Sequence, residues 1–177
     1  MLLILVPTPN NVLSPTDYTL KFTKPFIEKI MDVKGDEHCG FRAIAKFLGL
    51  TEESYIMVRI YLIQVVKDHM NDYVWVFESE DHFNYILNDL HPPQNSSGIG
   101  LVDNWLTFPG ISHYVANYYN RLVVELTNHE IRTSESFFPI VPPHKEKNPI
   151  MRLRLIPNHF VLVFLKDVCP LPPSSTE

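Results

Sequence analysis

The segment Gly35-Asp36-Glu37-His38-Cys39-Gly40-Phe41-Arg42-Ala43-Ile44-Ala45 places a thiol between a glycine-bearing turn and a run with helical periodicity. Phe41, Ile44, Ala45, Phe47 and Leu48 repeat at the three-and-four spacing of one helix face, and Gly49 stands where a helix stop belongs. Cys39 is therefore expected at a helix amino terminus. Unpaired N–H groups and the positive end of the helix dipole favour a thiolate there. A thiolate can attack an acyl carbon, and the loop amides before Cys39, together with its own, could form an oxyanion hole. The competing reading is a buried structural cysteine, the commoner state of a lone Cys.

A nucleophilic cysteine needs a base. Of the 8 histidines, only His159 begins an expected strand directly after a turn, where its ring could face a helix start across a cleft. The other seven, His38, His69, His82, His91, His113, His129 and His144, fall on expected helix surfaces or loops and are read as solvated. His38 adjoins the thiol, but neighbouring residues at a helix start point in different directions. None of the histidines shows metal-ligand spacing, so no metal site is expected.

These groups must be positioned by elements that the hydrophobic period delimits. Phe26 to Val33 reads as a strand or a short helix, Glu52 to Tyr73 as a long amphipathic helix, Glu80 to Leu90 and Ile111 to Tyr119 as two shorter ones. Asn120-Arg121 turns the chain into a β-branched run, Leu122 to Leu126. Met151 to Ile156 and Phe160 to Leu165 flank Pro157-Asn158 as two strands joined by a tight turn. Helices come first and strands gather late, an α+β layout with helices packed on a small sheet. Trp105 is read either as a wall of the cleft or as a core tryptophan, and Asn95 to Gly100 as a mobile loop near the groove.

Composition narrows the function classes. The 177 residues are 45% hydrophobic and 20% charged, as in a globular domain, with 15 Lys+Arg against 20 Asp+Glu and a net charge of -5. That balance builds no positive field for nucleic acid. Two cysteines, Cys39 and Cys169, make no disulfide framework, which fits a reducing compartment, cytoplasmic or nuclear. Met1 to Val6 is too short for a membrane span and lacks the basic flank of a signal peptide, leaving a strand or the remnant of a longer parent chain. A soluble monomer is expected. Prolines number 15 and mark loops, and the last segment, Pro170 to Glu177, reads as a mobile tail.

Gly35 to Ile44 resembles the nucleophile segment of the ovarian tumour (OTU) cysteine proteases: an Asp, usually a Gly, any residue, then the nucleophilic Cys and an aromatic residue shortly after. Trp105, then Ile111-Ser112-His113-Tyr114-Val115-Ala116-Asn117-Tyr118-Tyr119-Asn120-Arg121-Leu122-Val123-Val124, resembles that family's tryptophan, helix, Asn-Arg and strand. Pro149 to Leu153 with Asn158-His159-Phe160 resembles its final strand pair. The finer likeness is to OTU-like segments of plant or fungal transposable elements. The resemblance implies an OTU-like, papain-like cysteine protease fold over residues 26–168, with 1–25 an amino-terminal extension or strand and 169–177 a flexible tail. It implies Cys39 as nucleophile, His159 as general base and acid, and Asp36 as the residue shaping an oxyanion loop that includes Glu37 and His38. The implied partner is ubiquitin or a ubiquitin-like protein, cleaved after its carboxyl terminus through a thioester, and no cofactor is required.

Two positions depart from the pattern. Glu37 stands where the family usually has Gly; a Cβ tolerates positive φ poorly, and the carboxylate opposes a thiolate. Val161 stands two residues after the histidine, where many members carry Asp or Asn, so orientation of the ring would fall to Asn158 or to an upstream acid, Asp17 or Asp32. These departures favour a catalytically silent ubiquitin-binding or interaction module; the retained Cys39 and His159 favour a deubiquitinating thiol hydrolase of reduced activity.

Overall fold

The computed structural model describes residues 23–69, 80–91, 105–108, 110–127, 134–139, 149–156 and 158–174. Five strands, β1 (Ile27–Met31), β2 (Val123–Leu126), β3 (Glu135–Phe137), β4 (Met151–Ile156) and β5 (His159–Leu165), form one mixed sheet in the order β1-β5-β4-β2-β3. Only the β2–β4 pair is parallel. Four helices, α1 (Cys39–Phe47), α2 (Tyr55–Asp68), α3 (Glu80–Leu90) and α4 (Ser112–Tyr118), complete an α+β architecture. Phe26 to Val33, open between strand and helix from its period alone, contains the edge strand β1. The expected helix from Glu52 starts with a 3-10 turn, Glu52–Ser54, and its last expected residues, 70–73, lie outside the described residues. So do Met1 to Val6, Asp17 and the Asn95 to Gly100 loop.

β5 explains why the sheet has two dry faces. Its sequence, His-Phe-Val-Leu-Val-Phe-Leu, is apolar at both parities, as a strand flanked by neighbours and covered on both sides requires. Phe160 and Leu162 pack into the cluster beneath the helices, with Phe41, Ile44, Leu62 and Tyr114. Val161, Val163 and Leu165 join a second cluster with Val124 and Leu126. α1 ends as Gly49 promises: at φ 78 it reverses the chain, the Gly49 N–H donating to Lys46 O and the Leu50 N–H to Ala45 O, each at 3.0 Å.

β3 has three residues and no readable period, so the sequence pattern missed it. Its edge is closed by the proline-rich end of the chain: the Ser136 N–H donates to Pro173 O at 2.8 Å and its hydroxyl to Pro172 O at 2.9 Å. Residues 172–174 are thus tied to the sheet where a mobile tail was expected, because carbonyls before and between prolines still accept hydrogen bonds from an edge strand. Among the described residues no helix is long and apolar enough to cross a membrane, and no group of three His, Cys, Asp or Glu could hold a metal ion.

Charged side chains of β4 lie against the second cluster. Arg154 is wholly buried, its three guanidinium nitrogens lack hydrogen-bond partners, and burial pushes it down to about 10. It lies directly across from Val161 in the β4–β5 register. A carboxylate at that position would have a cation within cross-strand reach. In denaturant unfolding, Val161→Asp should cost less in the parent than in an Arg154→Met background, with a coupling of roughly 1 to 3 kcal/mol; equal costs would show that the two side chains do not meet.

Candidate active site

The turn before α1 is organised by one carboxylate. Asp36 Oδ1 accepts the His38 N–H at 3.0 Å and the Arg42 Nε at 3.0 Å, while Oδ2 takes the same Nε at 3.1 Å and an Arg42 terminal nitrogen at 2.8 Å. Burial works against the charge of Asp36, but the Arg42 fork and the His38 amide outweigh it and hold the carboxyl below its ordinary value. Arg42 reaches on to Glu52 O at 3.2 Å and Glu53 Oε1 at 3.1 Å, which fastens the turn to the start of α2. Cys39, the first residue of α1, is buried, with its sulfur accepting the Phe160 N–H at 3.3 Å. That donor, from the second residue of β5, places positive polarity at the sulfur.

His159 precedes it on β5, and its Nε2 lies 2.6 Å from Asp32 Oδ1. Asp32 directly follows β1, and the antiparallel pairing of Met31 with Leu162 brings the two ends together. Nδ1 is left without a hydrogen bond of its own. The Cys39 sulfur is the largest influence raising the imidazole, ahead of Asp32 and against the opposing effect of burial, and the ring reaches about 9. Thiol, imidazole and carboxylate thus follow one another in the order that nucleophilic acyl transfer uses. A cleft of about 390 Å³ opens beside them, lined by Gly35, Asp36, Glu37, Trp105, Asn158 and His159.

No family model matches this chain, and no curated protein matches it. Solved structures do. The viral OTU domain protease from Dera Ghazi Khan virus superposes with a TM-score of 0.56 at 10% identity, over 82% of this chain and 85% of that one. The viral OTU domain protease from Farallon virus gives 0.52 at 16% identity, over 82% and 88%, and the OTU domain of OTUD1 0.52 at 14%, over 76% and 84%. The chain has the OTU fold.

Within that fold the structure gathers His159, Asp36, Glu37, Asn158 and Trp105 around one cleft, with Cys39 buried next to it in contact with the strand that carries His159, and it revises several local readings. Among the orienting candidates, Asp32 meets the imidazole. Asn158 instead turns the chain at φ 57, a left-handed conformation that Asn tolerates better than most residues. Val161 is buried in the second apolar cluster and offers nothing to the ring. Glu37 is not among the residues with positive φ, so its Cβ does not strain the turn. His38, expected in solvent, is buried and stacked on Tyr55 with ring centres 4.4 Å apart; His113 is buried too. Neither the His38 nor the Cys39 amide is a free oxyanion donor, since the first binds the Asp36 carboxylate and the second donates to Asp36 O at 3.0 Å. Arg42 escaped the sequence reading altogether, although its spacing of six from Asp36 across a turn and one helical turn was the available signal.

Trp105 owes its place to a glycine. A Cβ on Gly40 would stand 2.5 Å from Leu106 Cβ, so only glycine lets the 105–106 segment lie against the start of α1. Gly40→Ala should lower stability by about 1 to 3 kcal/mol and displace Trp105, read as a drop in melting temperature with a shift in tryptophan emission.

The Asp32–His159 contact predicts a titration. An imidazole at about 9 when folded, against about 6.5 unfolded, contributes stability that is fully present below pH 6.5 and is lost as pH rises through 9. In Asp32→Asn the His159 ring, followed by NMR, should titrate closer to 6.5, and the variant's stability deficit should be larger at pH 6 than at pH 10. An unchanged titration would mean that the contact does not hold in solution.

Proposed function

We propose that this protein is a thiol hydrolase that cleaves the isopeptide or peptide bond after the carboxyl terminus of ubiquitin or a ubiquitin-like modifier. The observation that carries the reading is the Asp32–His159–Cys39 succession beside a cleft in an OTU fold. Cys39 Sγ attacks the scissile carbonyl and forms a thioester. The leaving amine takes its proton from His159, and the same imidazole then accepts a proton from the water that hydrolyses the thioester. Asp32 holds the ring through Nε2 and leaves Nδ1 for the sulfur side. Cys169 is unsuited to this work, because burial pushes its thiol up, Arg152 opposing that only in part.

A second reading is a binding module with the same fold and little turnover. It is favoured by the engagement of the His38 and Cys39 amides with Asp36, since loss of one oxyanion donor elsewhere lowers turnover by about 100- to 1,000-fold. Ubiquitin carrying a thiol-reactive group at its carboxyl terminus separates the two. Labelling should occur in the parent and in Cys169→Ala and vanish in Cys39→Ala and His159→Ala. Binding of ubiquitin without labelling at any pH would establish the module instead, and labelling that follows Cys169 would refute the assignment.

A further inference from the structure

Arg59 lies wholly inside the protein on α2, where an arginine ordinarily keeps its head in water. Its guanidinium serves three elements. One terminal nitrogen donates to Asp89 O at 2.7 Å and Leu90 O at 3.2 Å, carbonyls at the end of α3 that have no acceptor role left within their own helix. The central carbon is 3.9 Å from the centre of the Phe41 ring on α1, a cation–π contact. The other terminal nitrogen is 3.2 Å from His38 Nδ1. Arginine only donates, so Nδ1 is the acceptor in this contact.

His38 is thereby held at its ring by Arg59 and Tyr55, and at its amide by Asp36. Cys39 is the next residue. The Asp36–Arg42 pair steadies the cleft side of this turn, and Arg59 steadies its buried side.

We propose that Arg59 is a positioning residue for the Cys39 thiol and acts through His38, the buried guanidinium tying the nucleophile turn to Phe41 and to the end of α3. Its meaning for turnover rests on the thiol-hydrolase reading; its test does not, because alkylation of Cys39 needs no ubiquitin. An apolar side chain at 59 would fill the space yet leave His38 Nδ1 and two α3 carbonyls without their donor. A lysine would supply charge at a single point and could not span all three contacts.

The test compares variants that separate the stack from the acceptor. His38→Phe keeps a flat ring for Tyr55 and removes Nδ1. His38→Asn gives up the stack and sets Oδ1 where Nδ1 was. The rate of Cys39 carbamidomethylation by iodoacetamide, read on the Cys39 peptide by mass spectrometry, is followed together with the melting temperature and ubiquitin-probe labelling. His38→Phe and Arg59→Lys should slow alkylation at least about fivefold, while His38→Asn stays within about twofold of the parent. His38→Phe reacting as fast as the parent, or His38→Asn as slowly as His38→Phe, overturns the proposal. Should Arg59→Lys not fold, the two His38 variants decide alone. A parent that alkylates in the expected order yet never labels with the ubiquitin probe supports the clamp and removes the ubiquitin reading.

Discussion

The site depends on a single carboxylate that is nearly saturated with donors. Asp36 receives the fork of Arg42 and the amide of His38, and its own carbonyl receives the amide of Cys39. A half-buried carboxylate with fewer partners would have cause to protonate or swing into water. With this set it stays charged and fixes both ends of the turn. The direction in which α1 leaves the turn follows, and with it the place of the sulfur. Charge-assisted bonds of this kind are the strong ones, and here they join Asp36 to His38 and Arg42.

The sheet supplies the remaining constraint. β5 is the strand on which the proposed nucleophile and base meet, since Phe160 donates to the Cys39 sulfur while His159 reaches Asp32. Because β1 and β5 run antiparallel, the end of one lies beside the start of the other, and the acid and the imidazole need no long loop to find each other. A parallel pairing would have set them at opposite ends of the sheet. The same strand is covered on both faces by apolar clusters, so its position is held by packing as well as by the ladder.

In the proposed hydrolase the thiol, imidazole and carboxylate coexist with a turn whose amides are already engaged. The imidazole meets the Asp32 carboxylate and the sulfur meets the amide that follows His159, while the His38 and Cys39 N–H groups face Asp36. In the proposed reaction a carbonyl oxygen would compete with Asp36 for those donors, an electrostatic cost set against the gain of stabilising developing negative charge. The balance of those two terms separates an efficient hydrolase from a module that holds its ligand and rarely turns it over.

The helix behind Cys39, the stop at Gly49, the hairpin around Asn158 and the α+β class are local properties, and hydrophobic period with turn chemistry was enough to read them. The proposed partnership of Cys39 with His159 was suggested by a histidine at a strand start after a turn and by a likeness of motifs. Tertiary structure decided the rest. Asp32 and His159 are 127 residues apart in the chain, and only the β1–β5 register makes them neighbours. β3 carries too few residues for a period, and a proline-rich end reads as loose until an edge strand accepts it. His38 looked solvated because adjacency says nothing about burial; its neighbours come from α2, through Tyr55 and Arg59. Sequence carries what a residue prefers over one or two turns of chain, whereas partnership between distant groups is set by strand register and helix packing, which no local pattern encodes.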